Sequence, residues 1–383
     1  MTLFSKFLLS TSLFLLIASS GQAAAHLGGR MQMIGFSQKV DDPYKSDLRV
    51  FMFMKQARLT FANDFDAMRF RAEMAVAGEE EVKAPSPGVS LGMLDFYFEV
   101  PFWATHQIRI GQFKVPYGAE RLKEDGSLRF IDRSIHDLAF RIGRDVGFAW
   151  ITDNASLGLF AGGGRDIPER YLPEDLGIPL IVARLKANDS VHLNGAYMRD
   201  SLIGHSSVLN VKMSEKSLLI NPYWNPFLAQ APLAKGAFWQ MGVDSSWSNF
   251  ELEINYGGYA NTYGFLNLFG GRMEAWVSQP PFDLAMRYAI VIPSDKFAYA
   301  QIPITGASPI HEITIAATHH LSDAEKIIVD FPILIGAPVA IESGAGAYVL
   351  TEQPDQASVL KTAGNTVNRQ TIIEARALYQ IRF

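Results

Sequence analysis

The chain of 383 residues carries 39 acidic and 34 basic side chains, a formal charge of −5 with histidine neutral. That balance argues against a nucleic-acid partner. With no cysteine in the chain, a disulfide framework, a cysteine-ligated metal and a thiol nucleophile are excluded.

Residues 1–23 read as a secretory signal. Lys6 provides a short positive start, Phe7 to Ile17 an apolar stretch, and Ser19-Ser20-Gly21-Gln22-Ala23 the small residues before a cleavage site near Ala23 or Ala25. The apolar run is too short for a membrane helix, and no longer one follows it. An exported chain embedded in a membrane then has one remaining solution, a closed β-barrel, because lipid satisfies no backbone polar group. Residues 24–383 are expected to form a single all-β domain, a transmembrane antiparallel barrel.

Segments in which every second residue is apolar support this reading. Met68-Arg69-Phe70-Arg71-Ala72-Glu73-Met74 sets four apolar side chains on one face and Arg69, Arg71 and Glu73 on the other. In chain order, strands are predicted at Arg30–Phe36, Val50–Ala62, Ala67–Val76, Leu91–Val100, His106–Val115, Arg144–Ile151, Ser156–Gly162 and Ile178–Leu185. They continue at Val191–Met198, Ala237–Ser245, Phe250–Tyr256, Gly271–Val277, Phe282–Val291, His311–Thr318, Glu325–Phe331 and Thr371–Phe383. That makes about sixteen, within the even-numbered range of bacterial barrels.

The predicted links alternate in length. Short ones fall at Asn63-Asp64, Pro101–Thr105, Thr152–Ala155, Lys186–Ser190, Ser246–Asn249, Ser278–Pro281 and Leu321–Ala324. Long ones fall at Ser37–Asp47, Ala77–Ser90, Pro116–Gly143, Gly163–Gly177, Arg199–Lys235, Gly257–Phe269, Ile292–Ile310 and Pro332–Gln370. Tight periplasmic turns alternating with long external loops are what an up-and-down barrel requires. Phe102, Trp103, Trp150, Trp247, Phe250 and Phe282 lie at or beside the short turns, as an interfacial aromatic girdle would. In the last strand Ile373, Ala375, Ala377, Tyr379, Ile381 and Phe383 share the lipid face, and Glu374, Arg376, Gln380 and Arg382 the wet one. Ending this alternation on an aromatic resembles the C-terminal signature read by the barrel-assembly machinery of the outer membrane.

Two long links, Leu218–Trp239 and Phe331–Ile341, are rich in apolar residues and are expected to pack on each other outside the barrel. No catalytic or metal-binding constellation is found. His319-His320 precedes Ser322 and Asp323, and His205 precedes Ser206-Ser207, but neither sits in an elbow or a spaced ligand motif. Gly162-Gly163-Gly164 lacks the lysine of a phosphate loop. A barrel-embedded hydrolase would need a histidine and a serine meeting on the wall.

The link Pro116–Gly143 stands apart. Arg121, Lys123, Arg129, Arg133 and Arg141 are interleaved there with Glu120, Glu124, Asp125, Asp132 and Asp137. A segment of that length is expected to fold into the lumen and constrict it. Side-chain parity points Arg58, Arg69, Arg71 and Arg109 toward water early in the chain, and Asp244, Glu251, Glu253 and Glu274 later. In a barrel of about sixteen strands the two sets would face each other and set up a transverse field. Local ion pairs on a solvated wall are the alternative.

Around this link the chain resembles the phosphate-selective porin O and P family. The resemblance rests on Ile110-Gly111-Gln112-Phe113-Lys114-Val115-Pro116-Tyr117-Gly118, Glu120-Arg121-Leu122, Phe130-Ile131-Asp132-Arg133-Ser134 and Gly143-Arg144-Asp145-Val146-Gly147. It implies a sixteen-stranded, typically trimeric outer-membrane channel. The chain is read accordingly as a passive porin in contact with lipid, without cofactor, for small hydrophilic solutes or ions, with anions preferred. Lys114, Arg121, Arg133 and Arg144 match its basic positions. Phosphate selectivity would need convergent positive donors, whereas the link balances five basic against five acidic side chains. Lys114 and Arg144 are therefore read first as structural or mildly selective. Gly111 and Gly118 are expected to permit the bend from wall to link, with a bulge resolving the parity of Gln112 and Lys114. Besides this porin and an oxyanion channel, a hydrolase and a non-conducting surface barrel stay in view.

Overall fold

The computed structural model describes residues 25–40, 48–65, 68–78, 92–103, 105–140, 142–161, 180–201, 236–261, 264–293, 309–339 and 368–383. The expected signal segment lies outside these residues.

The alternating sequence forms a closed antiparallel barrel of sixteen strands, each paired with its chain neighbours and the last with the first. The first eight are β1 (Ala25–Val40), β2 (Leu48–Phe65), β3 (Met68–Gly78), β4 (Gly92–Trp103), β5 (His106–Lys114), β6 (Arg144–Ile151), β7 (Ala155–Phe160) and β8 (Leu180–Lys186). The second eight are β9 (Val191–Ser201), β10 (Gly236–Trp247), β11 (Phe250–Asn261), β12 (Gly264–Gln279), β13 (Phe282–Pro293), β14 (Ile310–His320), β15 (Glu325–Val339) and β16 (Asn368–Arg382). No described helix is long and apolar enough to cross a membrane; the strands do so.

Period-two patterning becomes two chemically distinct surfaces. On β14, Ile313, Ile315 and Ala317 face out, while Glu312, Thr314, Ala316 and Thr318 are buried on the inner side. The outer surface keeps its large apolar side chains exposed, which water would penalise and lipid does not. Phe70 is covered on that surface by Phe61, Phe96 and Phe98, with ring centroids 5.0–6.0 Å apart. At the short-turn end, Phe102, Trp103, Trp150, Trp247 and Phe282 stand exposed, and Phe250 packs against Trp247 at 5.4 Å.

Closure is made at the same end. The Gly29 amide donates to the Phe383 carbonyl at 2.8 Å and the Phe383 amide returns to Gly29 at 3.2 Å. The Phe383 ring lies where a side chain on Gly29 would stand.

Three expectations about the links change. The external link placed at Gly257–Phe269 is mostly strand: β11 continues to Asn261 and β12 begins at Gly264, with Tyr259 opposite Leu266. Its Gly-Tyr-Ala and Phe-Leu-Asn-Leu runs have strand chemistry that the surrounding glycines obscured. The Phe331–Ile341 stretch is not a packed external loop either. Ile333 and Leu334 pair with Ile373 and Ile372, so β15 runs to Val339, and Gly236–Trp239 likewise belongs to β10. The bulge proposed near Gly111 is absent, because β5 holds one register against β4 from Pro101↔Gln107 to Phe96↔Gln112. Gly111 instead adopts φ 134°.

A Cβ at Gly111 would lie 2.2 Å from the Phe96 carbonyl oxygen in addition to meeting a φ that L-residues avoid. Gly111→Val is expected to cost at least about 1–3 kcal/mol. Loss of the heat-modifiable folded band on electrophoresis measures it, and an unchanged band contradicts the assignment.

Candidate functional site in the lumen

β5 and β6 are joined by a segment that leaves the wall and fills part of the bore. Its base stays in register through the Val115 amide, which donates to the Gly143 carbonyl at 3.2 Å. Inside lie α1 (Ala119–Leu122), a 3-10 turn (Asp125–Ser127) and α2 (Ile135–Ala139). Ser134 caps α2, its hydroxyl accepting from the Asp137 amide at 3.1 Å. Gly118 starts α1 with φ 75°, and a Cβ there would stand 2.8 Å from a Glu253 carboxylate oxygen.

The segment carries its own apolar core. Ile131 packs with the inward-facing Ile34, Ile328 and Leu378, and Phe130 with Ala285, Ala316 and Trp276. Burying these groups drives the segment onto the wall of β11–β16, β1 and β2. Charged pairs then fix where it sits.

Glu120 is the centre of this clamp. Its carboxylate accepts from the Ser134 amide at 3.0 Å and hydroxyl at 2.5 Å, and lies 3.3 Å from Arg272 and 3.4 Å from Arg287. Burial pushes this carboxyl up, but Arg272 and Arg287 outweigh it and hold it well below the ordinary range. Asp132 meets Arg376 at 2.6 Å and also engages Lys55. Burial again opposes ionisation, and Lys55 and Arg376 bring the group down to about 2. Asp125 sits 2.7 Å from Arg58 and 2.5 Å from Arg133, which overcome its burial in the same way. Asp137 goes the other way: burial raises it, and Arg133 and Arg121 offset only part of that cost. Backbone groups complete the seam, with the Ile131 amide donating to Asp330 at 2.9 Å and the Ile135 amide to Glu312 at 2.7 Å.

The basic and acidic sets read from parity point into the lumen, and β3 and β11 stand eight strands apart in the ring of sixteen. Their surroundings differ. Glu251 meets Lys123 at 2.5 Å and Arg272 at 3.2 Å. Glu274 meets Arg272 at 2.8 Å and Arg129 at 3.0 Å, while Glu253 accepts from the Glu120 amide at 3.2 Å. The segment thus lies on these three carboxylates and pairs them locally. Asp244 is engaged by Arg184 at 2.8 Å and Asn194 at 2.7 Å. Across the bore, Arg69 pairs with Asp64 at 2.9 Å and is largely exposed. Arg71 bridges Glu73 at 3.2 Å and Glu124 at 3.0 Å. Arg109 holds Glu99, and its guanidinium lies 4.6 Å above the Tyr97 ring.

Among the motif residues, Arg144 donates to Asp95 at 2.7 Å, Arg121 lies 3.7 Å from Asp137, and Arg133 reaches the Glu120 carbonyl as well as Asp125. Gln112 donates back to the Met93 and Leu94 carbonyls at 2.9 and 2.8 Å. Phe113 packs between Tyr97 and Phe160 at 5.8 and 5.3 Å. Pro116 is buried, Asp145 accepts from the Val146 amide at 2.7 Å, and Gly143 has open space around it. Arg141 lies outside the described residues. Lys114 differs from the arginines: its ammonium donates to the Lys123 carbonyl at 2.7 Å, and no carboxylate among the described residues comes within bridging distance of it.

Sequence reading passed over Arg272 and Lys55. Parity with Glu274 was sufficient to place Arg272 in the lumen. Lys55 was not reachable that way, because it is the extra residue where Gln32 pairs with Gln56 and Met33 with Met54. That bulge turns it inward to Asp132. The histidine pair forms no triad: His320 bonds Asp283 at 2.7 Å, His319 stacks on Phe282, and the Ser322 hydroxyl accepts from the Ala324 amide. His205 lies outside the described residues.

Between the segment and the wall of β1–β6 a cavity of about 140 Å³ remains. Arg30, Arg58, Arg71, Arg109, Lys114 and Arg144 line it, with Glu73, Asp95, Glu124 and Asp125 opposing them and Tyr97, Phe113 and Leu122 completing its surface.

Residues 27–199, from β1 to near the end of β9 and including the whole inserted segment, match the family of phosphate-selective porins O and P. Among solved structures, the outer-membrane channel DcaP of Acinetobacter baumannii is similar with a TM-score of 0.55 at 11% identity, over 95% of this chain and 99% of that one. An anion-selective porin from Comamonas acidovorans aligns with a TM-score of 0.53 at 13% identity, over 94% and 100%. In-vitro folded OmpT, an outer-membrane protein of Vibrio cholerae, aligns with a TM-score of 0.53 at 10% identity, over 94% and 98%. No curated protein sequence matches the chain. The described strands thus have the fold of outer-membrane porins, and the first nine of them carry the match to a porin family.

Because Glu120, Asp125 and Asp132 are held below their unfolded values, their contribution is complete above roughly pH 5. It is lost as pH falls toward the folded value of about 2 at Asp132. Single-channel conductance is expected to stay constant from pH 7 to about 5 and to change reversibly below that as the segment detaches. Glu120→Ala is expected to destabilise the folded barrel by about 3–5 kcal/mol and to enlarge the conductance at pH 7. An unaltered conductance in both experiments contradicts the clamp.

Proposed function

We propose that this porin passes small hydrophilic solutes through the half of its bore left open beside the inserted segment, with a preference for anions. The observation that carries the reading is the cavity against β1–β6, where six cationic side chains meet four carboxylates and Lys114 is bridged to no carboxylate among the described residues. On the opposite wall Glu251, Glu253 and Glu274 are paired and covered. A mobile ion in the open half therefore meets a positive surface, which lowers the cost of shedding water for an anion and raises it for a cation.

A strongly phosphate-selective path is the second reading. Phosphate favours several convergent, uncommitted donors, and here Arg58, Arg71, Arg109 and Arg144 are each bound to a carboxylate. This favours a general anion preference. The exposed apolar outer surface suits association with lipid and with two further copies of the chain, and Tyr379, Ile381 and Phe383 are the residues assigned to recognition by the assembly machinery.

Reversal potential in a potassium chloride gradient across a planar bilayer tests the reading. Chloride should dominate, and neutralising Arg69, Arg71 and Arg109 to glutamine should move the potential toward the cation. A cation-dominated wild-type current, or a non-conducting barrel, overturns the proposal; saturation of the current by phosphate far below other anions favours the second reading.

A further inference from the structure

The same cavity combines two kinds of surface, and an inorganic ion uses only one of them. We propose that it is a binding site for a small organic carboxylate with a flat apolar body, of which benzoate is the simplest probe. This rests on the anion-preferring reading above and adds to it the chemical class of the solute.

The carboxylate end is set by Lys114. Its ammonium is anchored through one proton to the Lys123 carbonyl, and with no carboxylate among the described residues bridged to it, it retains donors for a bound anion. Arg58 and Arg144 offer less. Arg58 is committed to Glu73 and Asp125, and Arg144 to Asp95. A tetrahedral dianion that needs several free donors is poorly served by this arrangement.

The apolar end is set by Tyr97, Phe113 and Leu122. Arg109 extends that surface: its guanidinium lies over Tyr97 at 4.6 Å and Phe113 at 5.2 Å, while Glu99 accepts from its Nε at 2.9 Å. A guanidinium beside aromatic rings adds a polarisable, planar partner against which a flat ligand can stack. The volume of about 140 Å³ is ring-sized; a cavity of roughly 150 Å³ accepts benzene.

The test measures inhibition of chloride current through the reconstituted full-length porin by sodium benzoate, acetate and phosphate. Benzoate is expected to reach half-inhibition at a concentration about tenfold below acetate or phosphate, since burial of its ring adds to a carboxylate interaction shared with acetate. Lys114→Gln should raise the benzoate half-inhibition concentration about tenfold, as loss of a charge-assisted hydrogen bond implies. Phe113→Leu should narrow the benzoate-over-acetate preference. Equal inhibition by the three anions overturns the inference while leaving the chloride preference intact. A cation-dominated current overturns the underlying reading instead. If Lys114→Gln fails to fold, the comparison of anions on the unaltered porin still decides, and a folded Lys114→Gln porin with unchanged benzoate inhibition removes Lys114 as the anchor.

Discussion

The arrangement of this lumen depends on a carboxylate, Glu120, held out of water between two guanidiniums of the barrel wall. Arg272 and Arg287 are almost wholly buried, and neither could remain charged there without the acids of the inserted segment and of β11, β12 and β14. Conversely, the segment could not keep Glu120, Asp132 and Asp125 inside the bore without the arginines that meet them. Each side makes the other's burial tolerable. Such a seam contributes little as a sum of attractive terms, but it is costly to open from one side only, so it specifies position.

Position is what converts a cylinder into an asymmetric channel. The segment lies on the acidic wall and neutralises it, and the β1–β6 wall keeps its cations next to open space. The transverse field expected from two opposed charged walls is thereby replaced by local pairing on one side and a residual positive surface on the other. The inner wall remains mixed even there. Arg109 beside Tyr97 and Phe113 joins charge to aromatic area within one cavity.

The clamp also sets the rigidity of the constriction. Apolar contacts from Ile131 and Phe130 bring the segment to the wall but are non-directional. Hydrogen bonds from its backbone to Asp330 and Glu312 add direction. With its helices only a few residues long, the segment has little internal cooperativity of its own and takes its conformation from these tertiary partners.

Alternation of apolar and polar residues was enough, without any tertiary information, to determine sixteen strands, their inward and outward faces, the short-turn end and the segment that leaves the wall. Between bulges a side chain's face in a strand follows residue parity, so Arg58, Arg71, Glu251 and Glu274 were legible as lumenal before any fold was known. Two strand extensions at Gly257–Phe269 and Pro332–Val339 were not, because glycine and proline there mimic loop chemistry while the neighbouring strand supplies the pairing. Only the tertiary structure decided which lumenal charges cancel. Glu120 meets Arg272 and Arg287 across more than a hundred residues of chain, and Lys55 reaches Asp132 through a bulge that breaks parity. Periodicity fixes a direction along one strand; pairing of charges is set by distance across the bore, and that distance exists only once the barrel has closed.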